Sequence, residues 1–342
     1  MKQTVIVILS WNGKKLLEQF LPVLTACTPP EEADIVVADN GSTDDSLSFL
    51  EKHYPAIRVQ RLERNYGFAE GYNRALAGLQ YKYAVLLNSD VAVTENWFRS
   101  AIDYLEANGD VCALQPKILS YHHPSAFEYA GASGGFLDKH GYPFCRGRIL
   151  NTIETDTGQY DTVQQVFWAS GACLFIRLDD FREAGGFDSG FFAHQEEIDL
   201  CWRLNARGKK IVCLPQSCIY HVGAATLKKA DPHKTYLNFR NNLLMLYKNL
   251  PGAYYRKVML ARFFWDYLSA FHFLLKGQLA NAAAIPKARR DFILLKPEYK
   301  AERDRNLQLA AGGLPPAIYP ESIIRQYYFK NKKKYQDLNN QS

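Results

Sequence analysis

ADIVVADNGSTDDSLSFLEKH, residues 33–53, contains the repeating unit of the fold. Residues 33–40 are an apolar run that reads as a buried strand, ending at the turn-forming Asp39-Asn40-Gly41. GSTDD then offers Ser42 or Thr43 as the N-cap of a helix over SLSFLEKH. The same pattern stands on both sides. TVIVILS at 4–10 precedes a helical pattern from Lys14 to about Ala26. IRVQRL at 57–62 precedes another from about Ala69 to Leu79, and YAVLLNSD at 83–90 is a fourth strand. Strands alternating with helices predict an α/β fold with a mostly parallel central sheet, flanking helices and right-handed crossovers. Further strands are expected at Asp110–Leu119, Gln164–Phe167 and Lys209–Leu214, the last ending at Pro215.

In such sheets, ligands bind outside the carboxyl ends of the strands. Those ends read Ser10-Trp11-Asn12-Gly13, Asp39-Asn40-Gly41, Asn65-Tyr66-Gly67-Phe68 and Asn88-Ser89-Asp90. Any one of them is a plausible plain turn; four together point to a ligand. No G-x-G-x-x-G follows the first strand and no Walker lysine motif occurs, so a phosphate would be held another way, most simply by a metal. Mg²⁺ binds through one or two carboxylates plus substrate phosphates, so Asp90 alone suffices. His221, in CIYHVG, offers a second ligand, although a lone histidine is more often structural.

GGFDSGFFAHQEEIDLCWR, residues 185–203, concentrates Glu196, Glu197 and Asp199 in an otherwise apolar stretch. On a helix starting at Glu196, Asp199 shares a face with Glu196 and with Arg203, while Glu197 points elsewhere. Apolar surroundings raise a carboxylate pKa, which suits a general base. The plainer alternative is a solvated helix start, with acids complementing the dipole and an Asp199–Arg203 pair.

At 342 residues, the chain has ample material for one large domain or a domain with an appendage. Apolar residues make up 47% and charged residues 22%, ordinary for a globular protein. Seven scattered cysteines without a CxxC pair suggest reduced thiols rather than a disulfide framework or zinc site. The N-terminal apolar run is too short for a signal peptide or a span, and no other uninterrupted apolar segment is long enough to cross a bilayer. The formal charge of +6 is uneven: residues 251–342 hold 16 Lys+Arg against 7 Asp+Glu. A basic C-terminal region on a mildly acidic body suggests an anionic partner such as a membrane surface or a pyrophosphate lipid, against the alternative of a merely soluble surface. Within it, residues 258–276 read as a helix with a narrow polar stripe (Arg262, Asp266, Ser269, His272, Lys276) and a wide apolar face. That face either packs on the body or lies in a membrane interface, with Lys257, Lys287, Arg289 and Arg290 near it. The last residues, from Lys330 on, are expected to fray.

The ordered series SWNG (10–13), DNGSTD (39–44), NYGFAEGYN (65–73), LLNSD (86–90), SGACLFIR (170–177), the 185–203 stretch, YHVG (220–223) and NFRNNLLMLYKNLP (238–251) resembles the family 2 glycosyltransferases of the GT-A fold, in particular their bacterial rhamnosyltransferase-like branch. The resemblance covers about residues 3–250. It implies a GT-A catalytic domain over 1–250, with a nucleotide-binding half (1–90) and a metal and acceptor half (91–250), followed by a basic, mainly helical region over 251–342. It implies inverting transfer of rhamnose or a hexose from a dTDP- or UDP-sugar to a glycan hydroxyl, with Mg²⁺ or Mn²⁺. The acceptor would be polyprenyl-diphosphate-linked, at the inner face of the cytoplasmic membrane, in cell-surface polysaccharide synthesis. Asp39 matches the contact to the base. Ser10, Trp11 and Asn12, with Asn65, Gly67 and Asn73, match the nucleotide pocket. Asn88-Ser89-Asp90 matches the family's Asp-x-Asp, with Asn in place of the first Asp, so Asp90 and His221 are the expected metal ligands. Glu196-Glu197 matches the usual Glu-Asp pair, which makes Glu197 the expected base with Glu196 and Asp199 beside it. Arg240 and Asn241 match a polar pair near the diphosphate or the acceptor, and Trp168 and Gly171 would line the acceptor side.

Two other classes compete. A sugar nucleotidyltransferase would carry a glycine-rich basic loop after the first strand, which SWNGKK matches poorly. An inactive glycan-binding protein on the same fold would not need Asp90, Glu197 and His221. No nucleic-acid-binding module is recognisable.

Overall fold

A computed structural model of the chain describes residues 2–223 and 231–339. The first half follows the alternation: β1 (Thr4–Ser10), α1 (Lys14–Ala26), β2 (Ala33–Asp39), α2 (Ser46–His53), β3 (Arg58–Arg61), α3 (Gly67–Leu76), β4 (Tyr83–Asn88), β5 (Val91–Val93), α4 (Arg99–Ala107) and β6 (Val111–Ser120). A short-stranded middle follows, with β7 (Gly135–Asp138), β8 (Pro143–Cys145), β9 (Arg148–Ile149), β10 (Thr152–Ile153) and β11 (Gln164–Gln165). Then come β12 (Cys173–Arg177), α5 (Leu178–Glu183), α6 (Glu196–Ala206), β13 (Lys210–His221) and α7 (Pro232–Asn249). The chain closes with α8 (Gly252–Leu275), α9 (Leu279–Leu295), α10 (Lys300–Leu309), β14 (Ile318–Tyr319), α11 (Ile323–Phe329) and α12 (Tyr335–Asn339).

The main sheet runs β11-β13-β6-β12-β4-β1-β2-β3, with β5 also paired to β13. Its β3-β2-β1-β4 half is wholly parallel, as expected. Beyond β4 the sheet is mixed, because β12 lies antiparallel between β4 and β6. Sequence periodicity gave no sign of β12: its five residues are an almost fully buried apolar run without alternation.

The expected strand ending at Pro215 continues to His221. Three residues between Leu214 and Cys218 leave the ladder to β6, and pairing then resumes. That irregularity accommodates a proline inside a strand. It also carries His221 to the strand's end, opposite Val91 of β5 and Ser120 of β6. The helix after β2 starts at Ser46, so Ser42 and Thr43 are not its cap. Instead Asn12 N–H donates to Ser42 Oγ (2.9 Å), and Thr43 N–H donates to Asn12 Oδ1 (2.8 Å).

The region after residue 250 is helical, and it is stitched into the body. β14 pairs with β7, and Val258, Phe292, Ile323 and Leu338 belong to the same buried cluster as the sheet. Residues 330–339 are not frayed: Tyr335 packs on Phe136 and Tyr160, and Leu338 is buried; residues 340–342 lie outside the described residues. All seven cysteines are free.

Candidate active site

The crevice at the carboxyl ends of the parallel strands is built from buried polar groups. Ser10 and Asp39 end β1 and β2 side by side in register. Both are buried, and Ser10 Oγ and Asp39 Oδ1 have no partner. Buried polar atoms are normally satisfied, so two orphans on adjacent strand ends mark a place for a polar ligand. Asn40 ties the neighbouring loop down: its Nδ2 donates to Asn65 Oδ1 (3.1 Å) and Gly67 O (3.0 Å), while its Oδ1 accepts from Tyr66 N–H (3.0 Å). Trp11 stands at the rim, half exposed.

Gly67 has a φ of +76°, and a Cβ there would fall 2.5 Å from the Phe192 ring. The bare backbone lets the Phe192 carbonyl accept from Phe68 N–H (2.7 Å) at the start of α3. The nucleotide-side loop is thereby joined to the loop before α6. In that loop Phe192, His194 and Gln195 all have positive φ, at 64°, 70° and 73°. Three non-glycine residues in a sparsely populated region are strained, and such strain collects at functional sites.

Glu196 and Glu197 open α6 immediately after this strained loop. Glu196 is buried and Glu197 half-buried, and one carboxylate oxygen of each is sequestered without a partner. Burial raises both pKa values: Glu196 goes well above its ordinary value, helped by the charge of Glu197, and Glu197 rises to about 7. Burial thus favours the protonated form of both acids, and Glu197 is the member that exchanges its proton near neutral pH. Helix α6 runs along residues 167–172. Asn205 Nδ2 donates to Phe167 O (2.8 Å), Cys201 reaches the Ala169 backbone one turn earlier, and Ala172 O in turn accepts from Asn88 N–H (3.0 Å). The start of α6 therefore lies on the side of this segment that leads to the end of β4.

Asp90 lies just past that end. His221 Nε2 is 3.1 Å from Asp90 Oδ1 and 3.4 Å from Asn88 Nδ2, and both Asp90 and His221 are buried. On the other side of the ring, Glu128 Oε2 is 3.6 Å from Nδ1, an ion-pair distance and too long for a good hydrogen bond. Burial would lower the His221 pKa, but Asp90 and Glu128 outweigh it and raise it to about 10. Burial would likewise raise the Asp90 carboxyl, yet His221 holds it below its ordinary value. Glu128 escaped sequence analysis because it sits in a loop-rich stretch with no strand end to mark it.

Several expected site residues have structural roles instead. Asp199 is fully buried, and its carboxylate is held by Arg203 Nε (3.1 Å), Lys248 Nζ (3.0 Å) and Asn249 Nδ2 (2.7 Å), which neutralise its charge and fix it in the interior. Asn73 spends both ends of its amide on the Phe187 backbone (2.8 and 2.9 Å). Asn241 Nδ2 donates to the carbonyls of Phe191, Ala193 and His194, and Arg240 binds Asn241 Oδ1 and Gly190 O. These bonds shape the strained loop. Trp168 is buried with Nε1 donating to Phe136 O (3.1 Å). Gly171 is a close-packing position, where a Cβ would fall 2.9 Å from Phe68. Asp188, Asp199 and Glu302 bring carboxylate oxygens within 4.8 Å of one another, but the Lys248 ammonium sits among them at 2.5, 3.0 and 2.8 Å. That cluster is a closed ion network, not a metal site. Removing one partner from a buried ion network costs about 3–5 kcal/mol. Asp199→Ala is therefore expected to lower unfolding stability in urea by about that much, whereas Glu197→Gln, which has no such partners, leaves it unchanged or raised.

A sequence model described as Glycosyl transferase family group 2 matches residues 83–277, and one described as Glycosyl transferase family 2 matches residues 5–158. The chain is a family 2 glycosyltransferase. Among its relatives is the N-acetylglucosaminyl-diphospho-decaprenol L-rhamnosyltransferase of Mycobacterium tuberculosis, 26% identical over 230 residues, covering 63% of this chain and 75% of that protein. The rhamnosyltransferase WbbL of Escherichia coli (strain K12) is 27% identical over 223 residues, covering 61% of this chain and 80% of that one. Two solved structures show the GT-A fold of this glycosyltransferase. S. aureus TarS 1–349 in complex with UDP-GlcNAc superposes with a TM-score of 0.57 at 17% identity, covering 90% of this chain and 89% of that one. GalNAc-T7 with UDP, GalNAc and Mn²⁺ superposes with a TM-score of 0.58 at 15% identity, covering 72% and 48%.

Proposed function

We propose that this glycosyltransferase moves L-rhamnose from a dTDP donor, with inversion at the anomeric carbon, to a hydroxyl of a glycan carried on a polyprenyl diphosphate. The observation that carries the chemistry is the Glu196–Glu197 pair at the start of α6, each with one buried carboxylate oxygen that has no partner. The sugar and the lipid-linked acceptor follow the named relatives; a UDP-hexose is the alternative donor. An acceptor of this kind places the reaction at the cytoplasmic face of the membrane, with the enzyme peripheral to it.

In this account the nucleotide lies across the ends of β1 and β2, with Asp39 Oδ1 and Ser10 Oγ as its buried polar contacts. Asp90 and His221 would hold a divalent ion, Mg²⁺ or Mn²⁺; one carboxylate and one imidazole leave the remaining positions for diphosphate oxygens and water, as hard divalent cations require. Such an ion, when bound, offsets the charge that grows on the departing diphosphate. Glu197 accepts the proton of the acceptor hydroxyl. The oxygen forms its bond to the anomeric carbon as the bond from that carbon to the diphosphate breaks, and the nucleotide diphosphate leaves. A single displacement inverts the centre and needs no covalent sugar–enzyme intermediate.

Glu128 serves this site as a positioning residue, steering the far nitrogen of His221. Partners of this kind are worth about 10–100-fold in metal affinity. Glu128→Gln is expected to weaken Mn²⁺ binding in the presence of dTDP by that order in calorimetric titration, with unchanged melting; unaltered Mn²⁺ affinity would remove Glu128 from the site. The functional reading is tested by thermal shift with a panel of nucleotide diphosphates. Stabilisation by dTDP or UDP that requires Mn²⁺ or Mg²⁺ and vanishes in EDTA supports it. No response to any nucleotide diphosphate contradicts it.

A further inference from the structure

Helix α8 is turned inside out relative to a water-facing amphipathic helix. The first part of its polar stripe is buried, Arg262 being 1% exposed and Asp266 0%, while His272 and Lys276 at its end are exposed. Arg262 Nε donates to Asp266 Oδ1 (3.0 Å), which also accepts from Tyr142 OH (2.8 Å), while Asp266 Oδ2 accepts from Arg289 Nη1 (2.6 Å). Arg289, expected on the surface, is thus part of the interior. Arg262 also donates to Asn242 Oδ1, and Asn242 Nδ2 donates to Gln195 Oε1 (2.9 Å), so the residue before the acid pair is joined to the back of this helix through two hydrogen bonds.

The apolar face points outward. Phe264, Leu268, Phe271 and Leu275 are 64%, 52%, 54% and 71% exposed. The adjoining α9 adds Leu279, Ile293 and Leu294, each about two-thirds exposed. A run of large side chains of this extent is rare on a protein surface that meets only water. The only acid in α8 is the buried Asp266, while Arg256, Lys257 and Lys276, all exposed, bracket the apolar strip, and exposed Arg290 lies on α9.

We propose that the outer face of α8, extended by α9, lies in the interfacial layer of an anionic lipid bilayer, with the helix axis in the membrane plane. The inference rests on the lipid-linked reading above for the presence of a membrane, and on α8 for the surface that meets it. By length and composition the helix could span: it has 24 residues and an 18-residue window of mean hydropathy 1.2, although Arg262 and Asp266 interrupt it. Its mid-helix Arg262 and Asp266 are anchored to Tyr142, Asn242 and Arg289 of the body, however, and a spanning helix would strip them of partners inside hydrocarbon. A second copy of the chain fits the face poorly. Pairing two such helices would set Arg256, Lys257 and Lys276 of both against one another, with no exposed acid on α8 to offset them. Anionic headgroups answer that charge, and the acyl boundary takes the Phe and Leu side chains.

The test is flotation of the full-length protein with vesicles of phosphatidylglycerol and phosphatidylethanolamine, beside neutral phosphatidylcholine vesicles. The expected result is salt-sensitive binding to the anionic vesicles. Phe264→Glu/Leu268→Glu should reduce it at least tenfold, and Arg256→Glu/Lys257→Glu on the order of fivefold per charge removed. Both variants should keep the wild-type melting curve and wild-type transfer to a water-soluble acceptor analogue. Flotation unchanged in the Phe264→Glu/Leu268→Glu variant, or absent in the wild type at low salt, overturns the proposal. So does a wild-type dimer in sedimentation velocity that the same variant converts to a monomer, which would make the face a subunit interface. Vesicle binding as expected without transfer to any acceptor would sink the functional reading and leave this one standing.

Discussion

Glu197→Gln is expected to lower kcat about 10²–10⁴-fold, the usual contribution of a general base, while the affinity for the nucleotide sugar stays within about twofold of wild type. The amide keeps the size of the carboxylate and cannot accept the acceptor's proton. On the proposed reading donor binding depends on Asp39, Ser10 and the Asp90–His221 site, none of which the substitution alters. The wild-type pH profile has a predicted sign. Burial raises Glu197 to about 7, so below that pH the group carries a proton and the base is lost. The rate should fall by about tenfold per unit as pH drops below 7, and this limb should disappear in Glu197→Gln. Near-normal turnover in the variant would move the role to Glu196, its buried neighbour.

The second large effect belongs to Asp90. Asp90→Ala is expected to weaken dTDP binding about 100-fold in Mn²⁺ and to change it little in EDTA, as measured by calorimetry. The reason is local: Asp90 and His221 are buried together at 3.1 Å, and no other carboxylate among the described residues lies against His221 Nε2. Equal losses with and without metal would show that Asp90 supports the strand end rather than a cation.

What the sequence made legible follows from how each feature is encoded. The parallel half of the sheet and the polar strand ends were readable because hydrophobic period and turn chemistry are local. The Ser10–Asp39 neighbourhood therefore appeared where it was expected. Strand β12 was hidden because a short, fully buried strand has no alternation, and the continuation of β13 was hidden behind Pro215. The roles of acids and amides were the least legible. Glu197 and Asp199 are two residues apart with the same charge, yet one has a buried carboxylate oxygen without a partner and the other is held by Arg203, Lys248 and Asn249. Only packing of α7 against α6 separates them. Asn73 and Asn241 were misleading for a related reason: their amides bond the backbone of residues 187–194, just before the acids. Helix α8 carried its polar stripe openly in the sequence, but which side faces the body depends on partners as distant as Tyr142.

The most direct measurement is the product of a single incubation. Purified protein, dTDP-L-rhamnose and Mn²⁺ are mixed with a short-chain N-acetylglucosaminyl-diphospho-polyprenol, and the lipid is analysed by mass spectrometry and by NMR of the new anomeric centre. The account predicts one added sugar of inverted configuration, equimolar release of dTDP, and no product in EDTA or with Glu197→Gln. A product of retained configuration, or equal product with Glu197→Gln, would contradict it.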